Sequence, residues 1–226
     1  MSKLALLITL VLVLTNAGCG VYPVLIPPEA TPPGTVVGST FLAAGGKRER
    51  TNFITRDVSP GVLDVGAQAR LGVLPGIELG GRVSLAGGAL ADVRLQPLRR
   101  PVSLSLDIAA FTNHYLGDWM DPHISQPITY RGFRPSAMVG VGRVYCGVAY
   151  SLARAWGPGM GVGAELNDTF DIRSAFAGVE LGNKIRALVE AEVFKVQSRR
   201  ANEYGVCLGL AGYSSPIRIW GRRESD

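Results

Sequence analysis

The feature that most constrains this chain is a period-two alternation of apolar and polar residues that recurs along most of its length. Across residues 63–73, six apolar side chains alternate with Asp64, Gln68, Arg70 and two glycines. Successive side chains of a strand point to opposite faces, so this pattern predicts a strand with one apolar and one polar face. Similar runs lie near residues 35–46, 77–85, 91–96, 102–108, 134–142, 144–154, 171–182, 184–197 and 203–213.

These runs predict an all-β chain. We expect an antiparallel up-and-down β-barrel of about 8–10 strands, occupying residues 35–213. The run at 184–197 also fits a helix, because one helical stripe would contain Ile185, Leu188, Val189, Val193 and Val196. We favour a strand there, since a Gly-Asn turn signal precedes the run and strands flank it on both sides.

The connections between the runs alternate between long and short. The connections at 74–76, 97–101, 142–143 and 182–184 are tight, whereas those at 47–60, 112–130 and 155–170 are long. The connection at 86–89 is the exception, being short where a long one is expected. Transmembrane barrels have short periplasmic turns and longer outer loops. The pattern therefore favours a barrel in an outer membrane, with the first strand starting on the periplasmic side.

The polar faces of the strands contain isolated charges separated by glycine and serine, as a narrow lumen requires. We expect these charges to pair across strands and largely plug the interior. If water passes, an excess of seven carboxylates over four cations predicts a weak cation preference. The candidate lumen residues are Asp64, Arg70, Glu78, Arg82, Asp92, Arg94, Asp107, Glu180, Arg186, Glu190 and Glu192.

Alternation alone does not decide whether the apolar face meets lipid or a core. Aromatic residues are scarce at the ends of the runs, which weighs against lipid, because membrane barrels have aromatic girdles. The alternative is a lipid-anchored soluble barrel in the periplasm that binds a small apolar ligand. The two interpretations differ in whether the barrel itself needs lipid.

The N-terminus is typical of an export signal. Lys3 precedes the apolar run Leu4–Leu14, which is shorter than the roughly 20 residues of a membrane-spanning helix. The following Ala17-Gly18-Cys19 resembles the lipobox of bacterial lipoproteins. That resemblance implies removal of residues 1–18, acyl chains on Cys19 and, with glycine at position 20, sorting to the outer membrane of a Gram-negative bacterium. The alternative is an ordinary secretory signal followed by an incidental cysteine.

The two ends of the mature chain complete the predicted organisation. Residues 19–34 contain five prolines and predict an extended, lipid-anchored tether. Residues 203–210 are similar to the C-terminal assembly signal of outer-membrane barrels, which implies the outer-membrane assembly machinery as a partner. The chain then continues as a short polar tail over residues 214–226.

Few residues point to chemistry. His114, Asp118, Asp121 and His123 could supply imidazole and carboxylate ligands to a metal, but their spacing matches no specific motif. Tyr115, Trp119 and Met120 could instead make the same loop a partner-binding tip. We find no specific catalytic motif, and we expect neither enzymatic activity nor a cofactor.

Charge and cysteine usage exclude further classes. The net charge of +5 is dispersed, without the basic helix or aromatic-interleaved patch that nucleic-acid binding would need. Cys146 and Cys207 lie in separate runs, so we expect two small buried side chains rather than a disulfide. The sequence thus predicts an outer-membrane barrel lipoprotein in contact with membrane lipid. We expect a structural or surface-exposed role, with a small pore as the second possibility.

Overall fold

The structure is a computed structural model that describes residues 24–49, 59–85, 87–99, 101–115, 128–158, 165–182, 186–197 and 202–220. Ten long strands and one short strand occupy these ranges. They are β1 (Thr35–Glu49), β2 (Ser59–Leu74), β3 (Ile77–Ser84), β4 (Gly88–Leu98), β5 (Val102–Tyr115), β6 (Ile128–Val141), β7 (Val144–Pro158), β8 (Glu165–Leu181), β9 (Arg186–Gln197), β10 (Asn202–Tyr213) and β11 (Ile217–Arg218). No helix within these ranges is long and apolar enough to cross a membrane.

The ten long strands form a closed antiparallel barrel. Each strand pairs with its neighbours in sequence, and β10 pairs with β1 from Ser39↔Tyr213 to Glu49↔Glu203. This confirms the predicted up-and-down barrel and its strand number. The run that fitted both a helix and a strand forms β9, which lies between β8 and β10.

The barrel wall is polar on its inner face and apolar on its outer face, the reverse of a soluble barrel. Side chains that point inward include the fully buried Glu190 and Glu192, whereas Ile108 and Phe133 point outward and are each 64% exposed. In β2 the apolar Val65 is exposed, and its neighbour Asp64 is buried. The apolar face of the alternation is therefore the outer face of the barrel, and the polar face lines the lumen.

Inward-pointing aromatic rings lie against glycines on neighbouring strands. Phe41 covers Gly66, and a Cβ added to that glycine would overlap the ring. Tyr145 covers Gly178 in the same way. Glycine leaves a flat patch of wall, which lets a large ring lie against the sheet rather than project into the lumen. The lumen therefore keeps room for a further chain segment.

The two ends of the barrel differ. We call the end with the Pro75-Gly76 and Gly142-Arg143 turns the turn end, and the opposite end the loop end. Gly76 and Gly142 have positive φ values of 81° and 60°, a conformation that glycine adopts without strain. The connections at 50–58, 116–127, 159–164 and 198–201 belong to the loop end and lie outside the described residues.

The segments before β1 and after β10 meet at the turn end. Residues 24–34, the described part of the predicted tether, lie inside the lumen. In the predicted polar tail, β11 pairs with the start of β1 through Thr35↔Arg218 and Val36↔Ile217. The carbonyl of Gly34 accepts a hydrogen bond of 2.8 Å from the Ile219 N–H. The C-terminal residues thus fix the point at which the N-terminal segment enters the barrel.

The expectation for the cysteines was right in one respect and wrong in another. No disulfide joins them, and Cys207 is buried in the lumen as expected. Cys146 is exposed, because inward-pointing residues of β7 are odd-numbered, beginning with Tyr145. The alternation of β7 therefore places Cys146 on the apolar outer face beside Val144 and Val148.

Candidate functional site

The candidate site is the barrel lumen together with the segment that fills it. We call residues 24–34 the lumen plug. The plug leaves the wall at Gly34, whose N–H donates to the Gly72 carbonyl at 2.8 Å. A backbone away from water must find partners for its N–H and carbonyl groups. Four of the eleven plug residues are prolines, which carry no N–H, so the plug has few donors to satisfy.

Acidic and amide side chains of the wall accept hydrogen bonds from the plug backbone. The Glu190 carboxylate accepts from the Val24 N–H at 2.5 Å and from the Leu25 N–H at 3.0 Å. The Thr31 N–H donates to Glu78, and the Ala30 N–H donates to Gln96 Oε1 at 2.9 Å. Buried carboxylates on opposite walls therefore hold the two ends of the plug.

Arginine and amide donors of the wall bind the plug carbonyls. Arg94 donates to the Pro27 carbonyl at 2.7 Å and to the Pro28 carbonyl at 3.1 Å. Gln96 adds a bond of 2.7 Å to the Pro28 carbonyl. The Leu25 carbonyl accepts from two further wall side chains, Gln68 Nε2 at 3.0 Å and the Tyr213 hydroxyl. The carbonyls in the middle of the plug are thus satisfied by side chains.

Leu25 has a backbone conformation that few side chains tolerate. Its φ is 43°, in the left-handed region that costs a non-glycine residue about 1 kcal/mol or more. Its N–H and its carbonyl are both bonded to the wall, and its side chain is fully buried. The surrounding contacts therefore determine this conformation, and the plug has one defined position in the lumen.

Apolar packing adds to these hydrogen bonds on one side of the lumen. Val24, Leu25 and Ile26 belong to a buried cluster with wall residues from β1 and β6–β10. The largest of the wall residues are aromatic or long aliphatic side chains. The wall residues of this cluster are Val37, Phe41, Met138, Tyr145, Ala149, Phe176, Leu188, Ala211 and Tyr213.

A network of paired charges fills the opposite side, on β2–β5. Arg70 donates to both oxygens of Asp92, at 2.6 and 3.2 Å, and contacts Glu78 at 3.4 Å. Arg94 bonds Glu78 at 3.2 Å and the Ser105 hydroxyl at 2.7 Å. Glu78 therefore connects two arginines and the plug. A buried charge is tolerated only with partners of this kind, because isolated burial is costly.

Four further contacts involve charged side chains on the rest of the wall. Arg134 pairs with Glu192 at 2.8 Å, and the Tyr145 hydroxyl donates to Glu190 at 2.7 Å. Near the turn end, Arg186 forms a two-pronged ion pair with Glu180. The guanidinium of Arg82 lies 3.7 Å from the centre of the Phe41 ring.

The structure places all eleven candidate lumen residues on the inner side of the barrel. Glu180 and Arg186 are partly buried near the turn end, and the other nine are buried. The sequence prediction did not include Arg134, although the alternation within residues 134–142 places it on the polar face. No periodic signal marked the plug, because its position depends on contacts with distant strands.

The candidate metal residues and the lipidation site remain predictions. His114 lies near the end of β5, where its backbone pairs with Thr129, while Asp118, Asp121 and His123 lie outside the described residues. Cys19 also lies outside them. Among the residues that the structure describes, no three histidine, cysteine or acidic side chains are grouped so that they could hold a metal.

Two cavities border the plug. A cavity of about 20 Å³ lies between Val24, Ile26 and the charges of β2–β6, which is enough for about one water molecule. A larger open vestibule of about 1080 Å³ lies at the turn end and is lined by Arg99, Arg143 and Glu29 among others. Glu29 and Ala30 of the plug form part of the lining of this vestibule.

Solved structures with a similar chain trace include three bacterial proteins. Neisserial surface protein A is 11% identical, with a TM-score of 0.38, over 79% of this chain and 96% of its own. The outer membrane protease OmpT of Escherichia coli is 8% identical, with a TM-score of 0.40, over 84% and 100%. Ail, the attachment invasion locus protein of Yersinia pestis, is 11% identical, with a TM-score of 0.30, over 80% and 99%. No protein-family model matches the chain, and no curated protein is similar to it in sequence.

Replacing Glu190 by glutamine tests how the plug is held. Val24 and Leu25 donate to different oxygens of the Glu190 carboxylate, and glutamine replaces one of these oxygens by an NH₂ group, which would face one of the two N–H groups donor to donor. We expect the free energy of plug opening to fall by about 1–3 kcal/mol. Hydrogen exchange at the Val24 and Leu25 amides measures this. Glu180→Gln is the control, since Glu180 pairs with Arg186 rather than with the plug. Equal protection in E190Q and the wild type would contradict the assignment.

Proposed function

We propose that this protein is an integral β-barrel of the outer membrane whose lumen is closed by its own N-terminal segment. Its role is structural or surface-exposed rather than that of an open channel, and we assign it no catalytic activity. The observation that carries the proposal is the reversed polarity of the wall. The inner face is charged and packed, and the outer face exposes large apolar side chains on all ten long strands.

The dimensions of the apolar outer face support insertion into a bilayer. On β7, exposed apolar side chains run from Val144 to Leu152. At about 3.3 Å per residue and a tilt of about 40°, this stretch is about 20 Å tall, close to the apolar band of about 25 Å in outer-membrane barrels. Soluble monomers rarely expose continuous apolar surface of this extent.

The rival interpretation, a soluble barrel around an apolar ligand, needs an empty apolar interior. Here the apolar side of the lumen is occupied by Val24, Leu25 and Ile26, and the other side is a network of charges. The cavity between the plug and the charges of β2–β6 has room for about one water molecule rather than a ligand. These observations favour lipid outside the barrel over a ligand inside it.

The proposed acyl anchor at Cys19 fits the position of the plug. Four residues lie between Cys19 and Val24, so the five Cα–Cα steps that join them reach at most about 18 Å. Acyl chains on Cys19 would therefore enter the bilayer beside the barrel rather than at a distance from it. In this proposal the residues predicted as a free tether instead form a short link between the anchor and the plug.

Membrane extraction without the anchor tests the central proposal. Residues 1–19 are replaced by a cleavable secretory signal without a cysteine, and membranes are washed with alkaline carbonate. We expect the protein to stay in the outer-membrane pellet, because the apolar outer face itself binds lipid. Release as a folded soluble protein would overturn the proposal. An anchored soluble domain, detached in the same way, serves as the control for complete extraction.

Conductance in a planar bilayer tests whether the plug closes the lumen. We expect the wild type to conduct little, whereas deletion of residues 24–31 raises conductance at least about tenfold with a weak cation preference, as carboxylates then line an open path. Gly72→Leu tests the same point without a deletion. We expect it to displace the plug and raise conductance, because a side chain at Gly72 would overlap the Thr31 and Pro32 carbonyls. Gly81→Leu is its control, since Gly81 faces outward with nothing near a Cβ. Equal conductance in all variants would contradict a closing role.

Metabolic labelling tests the anchor separately. With labelled palmitate, we expect incorporation into the wild type and none into Cys19→Ala, because the acyl chains would be attached to that cysteine. Cys146→Ala is the matched control, since Cys146 is an exposed thiol on the outer face of the barrel. Label that persists in C19A would show that Cys19 is not the lipidated residue.

A further inference from the structure

Four cationic side chains lie on the outer face of the barrel, near the loop end of β6–β9. They are Arg131, Arg154, Arg173 and Lys195, which we call the basic band. The three arginines are exposed and the lysine is half-buried. Arg131 and Arg154 each lie ten residues from the turn-end residue of their strand, Val141 or Val144. Arg173 lies eight residues from Leu181, and Lys195 lies nine residues from Arg186. They therefore lie at a similar height on the wall.

The band lies directly above the apolar part of the same strands. At about 3.3 Å per residue and a tilt of about 40°, eight to ten residues correspond to about 20–25 Å above the turn end. That height is the upper edge of the apolar band of a membrane barrel. Val148, Leu152 and Val193, which are 59%, 47% and 54% exposed, occupy the outer face below it. A cation at this level can reach the headgroups while its stem stays on apolar surface.

Among the side chains that the structure describes, outward cations at this height lie on one side of the barrel only. At comparable heights on the other side, the outward residues are Val65 on β2, Ala89 on β4 and Ala110 on β5. A nonspecific attraction between the whole barrel and an anionic surface would not require the cations to lie on one side. The charges therefore define a local site on β6–β9.

The cations are arranged in two directly opposed pairs. Arg131 lies opposite Arg154 in the β6–β7 register, and Arg173 lies opposite Lys195 in the β8–β9 register. Directly opposed residues on one face have Cβ atoms about 5 Å apart, at which like charges repel each other. An anion between the members of a pair replaces this repulsion by two attractions. Asp171 supplies one carboxylate, 3.1 Å from Arg173.

Aromatic rings contact one member of each pair. The Arg131 guanidinium lies 4.9 Å from the centre of the Trp156 ring, and the Lys195 ammonium lies 5.5 Å from that of Tyr204. Such contacts hold a cation over an aromatic face while its donors stay available to an anion. Tryptophan and tyrosine also favour the interface between lipid and water.

We propose that the basic band binds phosphate groups on anionic lipid headgroups in the leaflet at the loop end. Paired guanidinium groups suit phosphate, because each offers a planar fork of donors to its oxygens. In an outer membrane this leaflet presents glycolipids with phosphorylated sugars, so the ligand class is a phosphorylated glycolipid. This inference rests on the proposed insertion of the barrel into that membrane.

Native mass spectrometry of the folded protein in detergent micelles tests the band, with lipid A as the probe. We expect Arg131→Gln with Arg154→Gln to weaken lipid A binding about tenfold or more, as two charge-assisted contacts are lost. The control is Arg99→Gln with Arg143→Gln, which removes the same charge from exposed positions at the turn end. A second pair, R173Q with K195Q, tests the site independently if the first variant folds poorly.

The outcomes separate this inference from the proposed function. Weaker lipid A binding in the band variants, with wild-type binding in the R99Q and R143Q control, supports the band. Equal binding in band and control variants overturns it, and so does binding of neutral phosphatidylcholine as tightly as lipid A. Binding is measured in micelles and does not require a membrane. A protein that carbonate releases from the membrane but that still binds lipid A through the band would therefore contradict only the proposed insertion.

Discussion

The rest of this structure depends on a single physical constraint, the need to satisfy the polar backbone of a segment buried in the lumen. A plug without regular secondary structure cannot pair its own N–H and carbonyl groups, and leaving them unbonded would cost about 1–3 kcal/mol each. The wall therefore supplies side chains of matching type at matching positions. Glu190 accepts at one end of the plug, Glu78 accepts near the other, and Arg94 donates between them. Four prolines reduce the number of donors that need a partner.

The charged wall residues have two functions at once. Glu78 holds Arg70 and Arg94 at 3.4 and 3.2 Å and also accepts from the plug. A buried ion pair by itself adds little net stability, because desolvation offsets much of the attraction. Here each charge also bonds a backbone group or a second charge, so that removing one partner leaves several groups unsatisfied. The network therefore specifies the position of the plug more than it adds to the stability of the wall.

The sequence was sufficient for the barrel because the alternation is local. Whether a residue of β2 points inward or outward follows from its parity, and the same rule places Glu190 and Glu192 in the lumen. The rule would also have placed Arg134 inward and Cys146 outward, had it been applied strand by strand. The plug could not be found this way. Its residues have no period, and their partners lie up to 188 positions away, so composition alone indicated a tether.

The abundance of arginine has a different physical basis on each face of the wall. Nineteen of the 23 basic residues are arginine, a bias that genomic composition alone could produce. In the lumen, however, the guanidinium of Arg94 bonds two carbonyls, a carboxylate and a hydroxyl at the same time. A lysine ammonium has three donors around one point and could not reach partners in four directions. On the outer face, the opposed Arg131 and Arg154 present planar forks to one surface, the geometry that suits phosphate. The same side-chain chemistry therefore holds the plug in the lumen and, in our proposal, fixes the barrel against the headgroups around it.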